Sequence, residues 1–149
     1  VFGSREIKTA YRQLPMNLRG GVSALSFAGV SAAFNEGDPW LQQVLKTLAR
    51  NLDFLQSHVA SKWPEIKYLS TEATYLAWLD CRPLKAEKIP EISPYEFFLS
   101  KARVALSEGL RFGEPGRDFV RLNFATSKNI LEEILSRMDA ALAIDHKPT

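Results

Sequence analysis

Apolar residues recur at spacings of three and four through the first half of the chain: Leu41, Val44, Leu45, Leu48, Leu52, Leu55 and Val59. That period belongs to an amphipathic helix. Asp38-Pro39 supplies its start, because a carboxylate caps free N–H groups and proline suits the first helical turn. One long helix is predicted from 39 to 62, broken before Trp63-Pro64. A second stripe, Ile130, Leu131, Ile134, Leu135, Met138 and Leu142, predicts a final helix capped by Thr126. Near the start, Ser4 caps a predicted helix over Arg5 to Leu14, closed by Pro15. Pro15, Asn17, Gly20 and Gly21 mark a loop flanked by Arg12 and Arg19. Val22 to Phe34, rich in Ala and Ser, reads as a helix packed closely against something and ending at Asn35-Glu36-Gly37.

After Pro64 the period changes. Ile66 to Ser70 reads as a short strand, Thr71-Glu72-Ala73 as a turn, and Thr74 to Asp80 as a buried strand rich in aromatic and apolar residues. Cys81 to Ile92 carries two prolines and several charges and reads as a mobile loop. Ser93-Pro94 starts another helix through Ala102, Arg103 to Leu106 reads as a short strand, and Glu108 to Arg117 as a glycine-rich loop. Phe119 to Phe124 reads as another strand. The order strand, strand, helix, strand, strand, helix predicts an α+β fold, with a short antiparallel or mixed sheet and helices on one face.

Composition narrows the classes. With 149 residues, 46% of them hydrophobic, the chain is long and apolar enough for a core, which excludes disorder. A formal net charge of +2 gives no general reason to expect a nucleic-acid partner. One cysteine excludes a disulfide framework and a cysteine-based zinc site, and fits a reducing compartment, so a cytoplasmic location is expected. The apolar runs are shorter than a membrane span, and no membrane partner is expected. The chain begins at Val1 rather than Met, and Val1-Phe2 before Gly3-Ser4 reads as the tail of a strand, so a piece of a longer protein is expected.

Candidate chemistry is sparse. In the strand Phe119 to Phe124, Phe119, Arg121 and Asn123 share one face, and Val120, Leu122 and Phe124 the other. A guanidinium cannot lose its charge, so Arg121 must reach water or an anion, and its fork is shaped for a carboxylate. The plainer possibility is an edge strand, with Arg121 in solvent or paired to a nearby Glu. His58 and His146 form no metal-binding pattern, and no metal site is expected. Cys81 reads as packing. Asp80, at a strand end, reads as satisfying a turn. None of the lysines sits in surroundings that would desolvate it and make it a nucleophile.

Glu72-Ala73-Thr74-Tyr75-Leu76-Ala77-Trp78-Leu79-Asp80-Cys81-Arg82 resembles a stretch of pyridoxal-phosphate (PLP) enzymes of aminotransferase class I/II, the fold-type-I enzymes. Val104-Ala105-Leu106-Ser107-x-Gly109, Phe112-Gly113 and Phe119 to Thr126 are similar to the ending of the branch that contains cystathionine β-lyases and other C–S lyases. Gly37-Asp38-Pro39-Trp40-Leu41 fits the same pattern. The resemblance implies the C-terminal part of a homodimeric PLP enzyme. Residues 1–37 would end the large cofactor-binding domain, 38–63 would be a long linking helix, and 64–149 a small C-terminal domain. The covalently binding lysine would lie upstream, so this fragment would hold no catalytic residue, bind no PLP and be inactive alone. Arg121 matches the arginine for the α-carboxylate of a small amino-acid substrate, and Asn123 would support it. The loop Gly20 to Ser23 would reach the partner subunit's cofactor, although relatives often carry Asn near Ser23. Tyr75 matches a motif position and reads as core. The implied reaction is α,β-elimination of cystathionine or cysteine-type substrates to pyruvate, ammonia and a thiol. The alternatives are an aminotransferase and the sensory domain of a transcription regulator.

Overall fold

The computed structural model describes residues 3–69 and 72–144. The strand tail expected at Val1-Phe2, the ends expected at Ser70 and Thr71, and His146 lie outside them. The chain divides into two compact units, Val1–Gln43 and Val44–Thr149.

In the first unit, α1 (Arg5–Gln13) is capped as expected: the Ile7 N–H donates to Ser4 Oγ at 3.2 Å. The following loop is tied back by the Tyr11 hydroxyl, which donates to the Arg19 carbonyl. Ser23 then caps α2 (Ala24–Glu36), accepting from the Ser26 N–H at 3.0 Å. No residue of α1 or α2 is buried, so the apolar residues of α2 stand exposed.

The long helix α3 spans Asp38–Lys62, beginning at Asp38 rather than Pro39. Its buried positions are Asn51, Leu55 and Val59. The second unit continues with β1 (Lys67–Leu69), β2 (Leu76–Asp80), α4 (Arg82–Glu87), α5 (Pro94–Phe97), β3 (Ser107–Glu108), β4 (Phe119–Asn123) and α6 (Lys128–Ile144). The strands form one sheet in the order β1-β2-β4-β3, with every neighbouring pair antiparallel. Ala77, Leu79, Val120 and Leu122 join Leu55 and Val59 of α3, Trp63, Phe97, Phe98 and the Leu131-Leu135-Met138 stripe of α6 in one core cluster. One sheet face is therefore the core face, as the α+β reading requires.

Several expectations need correction. The loop expected at Cys81 to Ile92 contains α4, with Pro83 in its first turn, where a missing N–H costs nothing. Lys85 holds the return segment by donating to the carbonyls of Ile89, Pro90 and Ile92. The strand expected at Arg103 to Leu106 is displaced to Ser107–Glu108. The reason lies in α5, which runs on as a π-helical turn over Phe98–Ala102. Arg103 ends that turn at φ 54°, and the N–H groups of both Arg103 and Val104 are spent on the Phe98 carbonyl rather than on a neighbouring strand. β2 starts at Leu76 because Thr74 takes a left-handed conformation, φ 71°, unusual for a β-branched residue. Tyr75 is 46% exposed and so is not core. Ser127 rather than Thr126 caps α6, its Oγ accepting from the Ile130 N–H at 3.3 Å.

Candidate functional site

The alternation expected in β4 is present. Val120, Leu122 and Phe124 are buried in the core, while Arg121 is half-buried on the opposite face. The antiparallel register places Leu69, Trp78, Arg121 and Ser107 in one row across all four strands. Residues paired across a sheet project to the same side, so this row forms the centre of the face turned away from the core. β4 is an inner strand, which removes the edge-strand explanation for Arg121.

The surroundings of Arg121 are unusual for a paired arginine. Its Nη2 donates to Ser107 Oγ at 3.2 Å, and its guanidinium lies 4.5 Å from the centre of the Phe112 ring. Its Nε is buried and has no acceptor. Among the described residues no carboxylate is within ion-pair distance of it. A permanent charge with a buried, unused donor is suited to an anion brought in from outside.

The platform beneath it is aromatic. Phe112 meets Trp78 edge-on at 5.5 Å, and Trp78 stacks on Phe119 at 5.6 Å with 20° between the planes. Arg82 caps the far end, 5.0 Å above Phe119. Arg82 also grips Asp80 through Nε at 2.9 Å and Nη2 at 2.7 Å, and its N–H donates to Asp80 Oδ1 at 3.1 Å. Asp80 thus satisfies the turn into α4, as its position predicts. The Arg82 side-chain bond holds the Asp80 carboxyl below the usual carboxylate range.

The glycines of the loop make this arrangement possible. A Cβ on Gly109 would collide with the Gly116 carbonyl, and one on Gly116 with the Gly109 carbonyl. The two backbones can close together only without side chains, and their approach seats the turn that carries Phe112.

The other expected residues lie apart. Asn123 is on the Arg121 face and exposed; its Oδ1 accepts from the Ala125 N–H at 2.8 Å, and no hydrogen bond joins it to Arg121. Ser23 belongs to the first unit and spends its hydroxyl on Ser26, at 2.9 Å to Ser26 Oγ. Cys81 is fully buried, and burial pushes its thiol pKa far up. His58 bonds Asp139 at 2.9 Å, and Trp63 Nε1 donates to the same oxygen at 2.6 Å, joining α3 to α6. Each described lysine is exposed, apart from Lys85, tied to three carbonyls, and Lys88, paired with Glu65.

Asn51 escapes the sequence reading. It is buried, and its Nδ2 donates to the Phe124 carbonyl at 2.9 Å and the Thr126 carbonyl at 2.8 Å. It thereby fastens the end of β4 to α3. The signal is there: Val44, Leu48, Asn51, Leu55 and Val59 follow the helical period, so Asn51 is a polar residue inside the apolar stripe.

No protein-family model matches the chain. Among curated proteins it is 40% identical over 151 residues to a protein assigned as a cystathionine β-lyase in Mycobacterium leprae, a match covering 95% of this chain and 38% of that protein. It is 30% identical over 130 residues to the cystathionine β-lyase PatB of Bacillus subtilis, covering 87% of this chain and 33% of PatB. Among solved structures, a Corynebacterium diphtheriae protein assigned as a PLP-dependent β-cystathionase superposes with a TM-score of 0.79 at 38% identity, over 96% of this chain and 37% of that one. The chain thus spans 38% of the length of the first of these relatives. Sequence and fold agree over nearly all its residues, and the chain is homologous to part of proteins named as cystathionine β-lyases and superposes on part of one named as a PLP-dependent β-cystathionase.

Proposed function

We propose that this chain supplies the substrate α-carboxylate site of a homodimeric, PLP-dependent C–S β-lyase. The reaction would be α,β-elimination of cystathionine or a cysteine-type substrate, yielding pyruvate, ammonia and a thiol. The observation that carries this reading is the Arg121 guanidinium on the open sheet face, charged, unpaired by any carboxylate among the described residues, and holding a buried Nε with no acceptor. PLP, when bound, supplies an electron sink for the charge that develops at the substrate's α-carbon. The described residues fit the substrate rather than the cofactor, because no described lysine is both buried and unengaged. Arg121 would clamp the α-carboxylate by charge-assisted hydrogen bonds and fix the rotation of the α-carbon, so that the bond to be broken stands perpendicular to the cofactor ring. Asn123 would add an amide donor from the same face, through Nδ2. Residues 1–37 would end the large domain, 38–63 would link, and 64–149 would form the small domain, with the Gly20 to Ser23 loop directed to the partner subunit. Cytoplasmic residence goes with this reading.

The deciding experiment uses the full-length, PLP-loaded enzyme. Incubation with L-cystathionine is expected to release pyruvate and thiol with no added 2-oxo acid. Turnover that requires a 2-oxo acid and releases no thiol would overturn the lyase reading in favour of an aminotransferase.

A further inference from the structure

We infer that Phe112 is a positioning residue for Arg121, and that it and Ser107 together tune the site for a carboxylate. The inference rests on the carboxylate reading above and deepens it.

Phe112 is 54% exposed, an unusual place for a large aromatic ring. Its ring is nevertheless fixed. One edge meets Trp78, which Phe119 backs in turn, and the chain leaves it through Gly113 at φ 111°, a conformation open to glycine. The face so presented lies 4.5 Å from the Arg121 guanidinium. Ser107 holds one nitrogen of the same group from the neighbouring strand, at 3.2 Å.

These contacts do different work. The ring attracts the cation through its quadrupole without offering an acceptor, so it fixes the guanidinium plane while leaving its charge unneutralised. The serine sets rotation within that plane through Nη2. An arginine side chain left free would lose several rotamers on gripping a ligand, and one already held loses few. A carboxylate gains from this and a neutral amide gains much less, because the charge-assisted bonds depend on the preserved charge and alignment. Phe112 therefore acts on carboxylate recognition through Arg121, without touching the substrate.

The test measures competitive inhibition of the full-length holoenzyme by propionate and by propionamide, in wild type, Phe112→Leu, Phe112→Tyr, Ser107→Ala and Arg121→Lys. Phe112→Leu is expected to raise the propionate inhibition constant about tenfold and leave that for propionamide unchanged, while Phe112→Tyr, which keeps the ring, stays within about twofold of wild type. Ser107→Ala is expected to raise the propionate constant about threefold, and it gives an independent reading if the leucine variant does not fold. Equal losses in the leucine and tyrosine variants, or equal losses for propionate and propionamide, would overturn the inference. So would a Phe112→Leu enzyme that binds propionate normally while Arg121→Lys does not. If Arg121→Lys also binds propionate normally, the carboxylate reading itself falls.

Discussion

Asn51→Asp changes one nitrogen to oxygen with almost no change in volume. In the native chain the Asn51 amide donates to two carbonyls, Phe124 O at 2.9 Å and Thr126 O at 2.8 Å. An ionised aspartate would face both with acceptors only, in a position that is 3% exposed. The folded protein can avoid that by protonating the carboxyl, which from an ordinary value of about 3.9 costs about 4 kcal/mol at neutral pH. A protonated acid has one donor, so one carbonyl still loses its partner, at about 1 to 3 kcal/mol. The sum is about 5 to 7 kcal/mol at neutral pH, comparable with the whole stability of a domain of this size. Because burial raises the carboxyl's folded pKa above its unfolded value, the variant binds its proton more tightly when folded. Its handicap is smallest below about pH 4 and grows as pH rises towards the raised value. Urea denaturation followed by the fluorescence of Trp63 and Trp78 measures this directly. A destabilisation that is the same at about pH 4 and about pH 7, or a variant within about 0.5 kcal/mol of wild type at both, would refute the assignment of Asn51 as the donor fastening β4 to α3.

Asp80 titrates in the opposite sense. Its carboxyl is held below the ordinary 3.8 by the Arg82 bond, so its contribution is in place above 3.8 and disappears as pH falls through the lowered value. Asp80→Asn is expected to cost about 1 to 2 kcal/mol at neutral pH, with the gap closing in acid; a gap independent of pH in urea titrations would contradict this. The Cys81 thiol, fully buried and with its pKa raised, is expected to resist aromatic disulfide reagents in the folded protein and to react in denaturant; rapid native labelling would refute its burial. Leu25, Phe27, Val30 and Phe34 of α2 are each more than half exposed, so the isolated chain is expected to self-associate, and Phe27→Ser with Phe34→Ser to weaken association in sedimentation velocity; a wild-type chain that stays monomeric at high concentration would count against that. Borohydride reduction of the isolated chain mixed with equimolar PLP is expected to leave little label, scattered over surface lysines. Saturable labelling of one lysine would show that a cofactor lysine lies within these residues.

Helix periodicity makes α3 and α6 legible, and capping residues make α1 legible, because these depend on local spacing. The alternation of β4 is equally plain, and spacing alone assigns Arg121 to its face. What escapes is set by partners distant in sequence. That β4 is an inner strand follows from its pairing with β3 on one side and, across a connection of many residues, with β2 on the other, which no local pattern reports. The carbonyl of Phe98 captures the N–H groups that would have made Arg103 and Val104 a strand. Across Cys81 to Ile92 the second proline, Pro90, and the charges mask the helix-starting role of Pro83, although that signal is present. Asn51 is hard to see because a polar residue in an apolar stripe looks like a break in the pattern, and its two acceptors lie more than seventy residues away.

The pairing of Trp78 with Arg121 also governs how the sheet can assemble. Sliding β4 by a single residue along β2 would turn the guanidinium into the hydrocarbon interior and send Val120 and Leu122 outwards. A pairing of β2 and β4 so misaligned would strand a cation that no pH can discharge, which disfavours it as the chain folds. One side chain would thus serve twice, favouring the correct strand alignment during assembly and, on the proposed reading, receiving a carboxylate once assembly is complete.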